Sequence, residues 1–112
     1  NVESRGLGDV YKRQNLYCDK LGVSYSKIKL RDPRSRWGSC SFNGNLMFSW
    51  RLIMAPKNII RYLVAHEVAH LKHFNHSIDF WTAVFFLFGP YENERKWLRT
   101  EGTKLHFYKF KG

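Results

Sequence analysis

Apolar and polar positions change rhythm along this chain, and each rhythm predicts a different element. From Asn58 to Leu71 apolar residues occupy most of a helical circumference, so the stretch reads as a buried helix. Pro56 suits a first helical turn, and the helix is expected to run from about Pro56 to Lys72. Asn75-His76-Ser77 interrupts the pattern, and Ser77 can cap a second apolar helix over Ile78 to Phe88, which Gly89-Pro90 ends. A more polar helix is expected from Tyr91 or Glu92 to Glu101, closed by Gly102. Upstream, Asn15 to Leu21 reads as the tail of a helix stopped by Gly22, and Val23 to Arg31 alternates as a strand ending before Asp32-Pro33. Arg36 to Ser41 and Asn45 to Trp50 flank Asn43-Gly44, a strong hairpin-turn signal. Thr103 to Gly112 is basic and aromatic and fits either a packed strand or a loose extension.

The helical period gives the buried segment its chemistry. Residues four apart lie on one face about a turn apart, so His66 and His70 of His66-Glu67-Val68-Ala69-His70 can aim imidazoles at one metal ion. Glu67 is placed to touch a water on the metal's open side. His76 lies far enough past His70 for the helix to end and the chain to return a third nitrogen. Three nitrogen donors with one position left for water form the open arrangement of a catalytic zinc site. The apolar setting strengthens that reading, because two buried histidines and a glutamate need partners that a metal supplies together. His73 is a second candidate for the third position if the helix continues that far, whereas a residue leaving the helix, such as His76, aims more freely. His106 reads as a surface or strand histidine, and Cys40 as a small buried residue beside the hairpin.

Composition narrows the partners. A chain of 112 residues with 44% apolar content is one domain, and it contains no repeat or linker that would split it. Phe80, Trp81, Phe85, Phe86 and Phe88 make a run too short for a membrane span, headed by Asp79, so no membrane association is expected. No secretory signal pattern is visible, and Cys18 and Cys40 form no C-x-x-C pair. They fit a reduced cytoplasmic chain, with a disulfide left open. The formal net charge of +10 favours acidic partners, and Lys27, Lys29, Arg31, Arg34 and Arg36 form the densest basic cluster. That cluster suits either a nucleic-acid surface or an ordinary solvated strand face.

These motifs, taken in order, carry a resemblance. Arg36-Trp37-Gly38-Ser39-Cys40-Ser41, Trp50-Arg51-Leu52-Ile53-Met54-Ala55-Pro56, the H-E-x-x-H helix, Asn75-His76-Ser77 with Phe80-Trp81, and Pro90-Tyr91 resemble the YgjP-like (WLM and SprT-related) minimal zinc metallopeptidases from about Tyr17 to Leu98. The resemblance implies an α+β, zincin-like fold with a small sheet or β-hairpin packed on an active-site helix and two further helices. It implies a zinc metalloendopeptidase acting on peptide or protein substrates, with one Zn2+ held by His66, His70 and His76 and with Glu67 as catalytic base. Tyr91 is a candidate stabiliser of the transition state, and Asp79 a candidate acceptor for a ligand's outer N–H. An exposed strand edge beside the metal would let an extended peptide add as a further strand.

The ligand spacing also resembles that of the metzincins, whose turn glycine is replaced here by His73. The alternative function is a basic zinc module associated with nucleic acid, which merges with the first as a DNA-associated SprT-like protease. A third reading is a fragment that binds no metal. Residues 4–14 resemble the translation of a transposase-type sequencing adapter. Residues 1–14 are therefore expected to be an adapter-derived segment, and 15–112 an N-terminally truncated catalytic domain whose activity is less assured than its parent's.

Overall fold

The long apolar segment becomes the central helix of the molecule. The computed structural model describes residues 2–31 and 36–106, with side chains described for 5–31 and 36–101. Its α+β architecture is a three-stranded mixed sheet and four helices: α1 (Val2–Leu21), β1 (Lys27–Arg31), β2 (Gly38–Cys40), β3 (Asn45–Ser49), α2 (Lys57–His70), α3 (Ile78–Phe88) and α4 (Glu92–His106). A short 3-10 helix, Trp50–Met54, links β3 to α2 and begins where the Ser49 hydroxyl accepts from the Arg51 amide.

Helix α2 packs against α1, α3, α4 and β2. Its residues from Tyr62 through Ala69 are therefore buried on every side, as the near-absence of polar positions there requires. Helix α1 starts well before Asn15. It contributes buried Val10 and Gln14, and Arg61 of α2 donates to the Asp9 carboxylate at 3.2 Å from both Nε and Nη2. Gly22 (φ 71°) ends α1 in a left-handed C′ position, with its own amide donating to the Asp19 carbonyl and the Val23 amide to that of Cys18.

The sheet order is β1-β3-β2, with β1 parallel and β2 antiparallel to β3. Leu46 and Phe48 of β3 supply its buried face. The turn between β2 and β3 closes through the Ser41 amide donating to the Asn45 carbonyl and the Ser41 hydroxyl accepting from the Asn45 amide, with Gly44 at φ 81°. Trp37, just before β2, is buried and donates from its indole nitrogen to the Leu98 carbonyl at 3.1 Å, which fastens the hairpin to α4.

Ser77 caps α3 by accepting from the Phe80 amide, and Gly89 follows its last residue, as the sequence pattern predicts. Helix α4 departs from expectation. It continues through Gly102 to His106, because a glycine inside a helix costs only about 1 kcal/mol relative to alanine and is not by itself a stop. Residues 103–106 are thus helical rather than strand or extended, and the rest of the tail lies outside the described residues. Arg34 and Asp32-Pro33 also lie outside them. Among the described residues no helix is long and apolar enough to cross a membrane.

Candidate metal centre and its surroundings

Two rigid placements and one looser one bring three imidazoles together. His66 and His70 sit one turn apart on α2, and His76 lies on the short connection from α2 to α3. One ligand nitrogen from each lies within 4.8 Å of the others, so a small inward turn of the rings would bring all three to the roughly 2.0–2.1 Å at which nitrogen binds one ion. Burial falls along the series: His66 is buried, His70 half-buried and His76 exposed.

Aromatic rings hold the trio. Phe80 is fully buried, stacks on His70 with centroids 4.4 Å apart, and meets His66 and His76 edge-on at 5.0 Å each. Trp81 stacks on His76 at 5.8 Å and meets His66 edge-on at 5.7 Å. The start of α3 therefore forms the floor and one wall of the site. Phe80 and Trp81 owe their places to the Ser77 cap, which fixes where α3 begins.

Hydrogen bonds orient the rings. Nδ1 of His70 lies 3.0 Å from the His73 carbonyl, which can only accept, so Nδ1 carries the proton and Nε2 the lone pair a metal needs. Nδ1 of His66 lies 3.3 Å from the Tyr62 hydroxyl, one turn earlier on α2. Burial raises the Tyr62 pKa, so that hydroxyl keeps its proton. His73 thus contributes its backbone rather than its ring to the arrangement around the trio.

Glu67 is buried on the same helix, and among the described residues its Oε2 has no hydrogen-bond partner. Burial pushes its pKa up to about 8, opposed by the positive charge of Arg36. It lines a cavity of about 190 Å³ together with Arg36, Gly38, Ser39, Cys40, His70, Phe74 and His76. One wall of that cavity is strand β2. Gly38 lies so close to α2 that a Cβ there would come within 3.1 Å of Leu63 Cδ2 and 3.3 Å of Glu67 Cγ. Burial, with Glu67 adding to it, pushes the Cys40 thiol up to about 12, so it is a neutral wall residue outside the histidine trio.

The donor set fits a divalent ion. Three imidazoles converge, one of them is hydrogen-bonded into the ligating tautomer, and an unpartnered buried carboxylate oxygen stands in the adjoining cavity.

The other sequence candidates lie further out. Tyr91 stacks between Tyr62, at 6.0 Å, and Trp81, at 5.0 Å, and it lines a second cavity on the α3–α4 side. Asp79 is exposed in the first turn of α3. Lys27, Lys29 and Arg31 occupy the exposed positions of β1, while Arg36 stands at the cavity with Glu67. Sequence reasoning gave no role to Tyr62, nor to the Phe80 ring inside the trio. The i, i+4 spacing of Tyr62 to His66 was the available signal for the first.

The sequence and fold match a known class. The chain belongs to the YgjP-like family, whose metallopeptidase domain matches residues 3–101. Its fold is similar to the crystal structure of the metallopeptidase zymogen abylysin of Pyrococcus abyssi, with a TM-score of 0.72 at 21% identity over 91% of this chain and 99% of that one. It is also similar to the metallopeptidase zymogen jannalysin of Methanocaldococcus jannaschii, with a TM-score of 0.65 at 20% identity over 85% and 94% of the two chains. No curated protein sequence matches the chain.

Proposed function

We propose that this protein is a zinc-dependent endopeptidase in which His66, His70 and His76 hold one Zn2+ and Glu67 is the general base. The observation that carries the reading is the three-imidazole cluster beside a buried, unpartnered carboxylate. When bound, zinc supplies a water of lowered pKa and a Lewis acid for the substrate carbonyl. Glu67, which burial alone would keep protonated, would take its carboxylate form beside such a cation. Glu67 then accepts a proton from the attacking water and delivers it to the leaving amine. Tyr62 and the His73 carbonyl hold two ligand rings in register, and Phe80 keeps bulk water from beneath them. Tyr91 remains our candidate donor to the oxyanion and Asp79 our candidate outer acceptor.

The geometry of β2 supports a mode of substrate binding. It is an edge strand of the sheet, and Gly38, Ser39 and Cys40 all line the cavity that holds Glu67. An extended peptide laid along that edge would pair with its backbone and pass the trio. Glu67→Gln is expected to keep one equivalent of zinc by elemental analysis and to lose cleavage of an unfolded protein by about 10²–10⁴-fold. Unchanged cleavage by Glu67→Gln would overturn the assignment.

A further inference from the structure

The larger cavity beside the metal centre has no part in holding metal, yet it shares a wall with it. It measures about 410 Å³, opens between α3 and α4, and is lined by Ile78, Trp81, Thr82, Phe85, Tyr91 and Arg95. We propose that this cavity is a substrate subsite that takes an apolar side chain followed by a carboxylate, the carboxylate being received by Arg95. The proposal rests on the peptidase reading for its substrate and deepens it by naming what the substrate must carry.

Position is the first argument. The Trp81 ring stacks on ligand His76 with centroids 5.8 Å apart and also lines the cavity, so one side chain is a wall of both. An extended peptide advances about 3.3 Å per residue, so a substrate held over the trio reaches the neighbouring cavity within a few residues. Lining chemistry is the second. Ile78 and Phe85 are among the most exposed apolar residues described, at 84% and 57%, and they face a concave surface completed by Trp81, Tyr91, Thr82 and Arg95. Such a surface gains from covering by an apolar side chain.

Charge is the third argument, and it selects the occupant. The Arg95 guanidinium lies over the Trp81 ring at 4.4 Å, and among the described residues no carboxylate pairs with it. An arginine stacked against an aromatic ring by its central carbon keeps outer N–H donors that can grip a carboxylate in bidentate fashion. The stack also fixes the side chain beforehand, so binding orders less of it. A carboxylate next to the apolar residue has two sources: the chain's own C-terminus or an acidic side chain.

Titration of the zinc-loaded protein with four blocked dipeptides tests this, read through the methyl NMR signals of Ile78 and Thr82. Acetyl-leucyl-aspartyl amide is compared with acetyl-leucyl-asparaginyl amide, and acetyl-leucyl-leucine with its amide. Each acid is expected to bind about tenfold more tightly than its neutral counterpart, and Arg95→Gln to remove the difference while Arg95→Lys keeps part of it. Tighter binding of only the first or only the second acid identifies the source as side chain or C-terminus. Thr82→Trp, which fills the cavity, is expected to abolish binding of all four. Equal affinity of acids and amides, or perturbation of neither methyl, overturns the proposal. Because binding is read without turnover, methyl shifts in a protein that cleaves nothing would sink the peptidase reading and leave the subsite standing.

Discussion

Glu67 illustrates how one residue's burial sets what it can do. Without a cation its carboxyl has a folded pKa of about 8 against an ordinary value of 4.5, so at neutral pH it is mostly protonated and is no base. A divalent ion within the trio would reverse the balance, so under the proposed mechanism Glu67 would become a base only once metal is loaded. Tyr62 has the complementary task of orienting His66. Tyr62→Phe removes a hydroxyl 3.3 Å from His66 Nδ1 and leaves the ring stack with Tyr91 in place. It is expected to weaken zinc affinity by about 10–100-fold in competition with a chromophoric chelator. Little change in the midpoint of thermal unfolding would separate that effect from a loss of packing. The placement of His66, Glu67 and His70 on one buried helix was legible in the sequence because their spacing follows a helical period. The Phe80 ring was legible only as part of a motif, since its place among three imidazoles depends on where α3 crosses α2.

At the scale of elements, the approach of β2 to α2 positions the cavity wall. Glycine suits it: a Cβ at Gly38 would also lie 3.1 Å from the Met47 carbonyl oxygen, so a larger residue requires strand or helix to give by a few tenths of an ångström. Gly38→Val is expected to cost about 1–3 kcal/mol in urea unfolding through overpacking, and to lower kcat by displacing Glu67. A variant as stable and as active as the parent would show that the strand can retreat freely. Ser77 and Gly89 made the limits of α3 readable, and Asn43-Gly44 the turn between β2 and β3, because caps and turns are written in local residues. The parallel pairing of β1 with β3 was not readable. Its partners, such as Ile28 and Leu46, are set by a crossover that carries no local signature. The extent of α1 escaped for another reason. Its early residues, Gly6 and Gly8 among them, have low helix propensity, and packing against α2 outweighs it. That residues 1–14 derive from adapter sequence remains our proposal, resting on residue match rather than on packing.

For the molecule as a whole, the buried carboxyl couples metal, protons and stability. The folded metal-free chain holds the Glu67 proton more tightly than the unfolded chain does. Its contribution is therefore fully present below the unfolded value of 4.5 and is lost as pH rises through about 8. The difference in unfolding free energy between the metal-free parent and Glu67→Gln is expected to shift against the parent across that window, by an amount on the order of a few kcal/mol. Saturating zinc should shrink the shift, because it favours the charged form and stabilises the folded state by mass action. A pH-independent difference between the two proteins would show that the carboxyl is solvated after all.

The graded burial of the three histidines carries a kinetic meaning. His66 and His70 are fixed in a helix that cannot move without opening the interior, whereas His76 stands in contact with solvent on a short connection. Were an ion bound by the three, its departure would be expected to begin at His76, leaving His66 and His70 as the remaining holders. A site built this way would surrender its ion to a competing chelator sooner than spontaneous loss alone would allow.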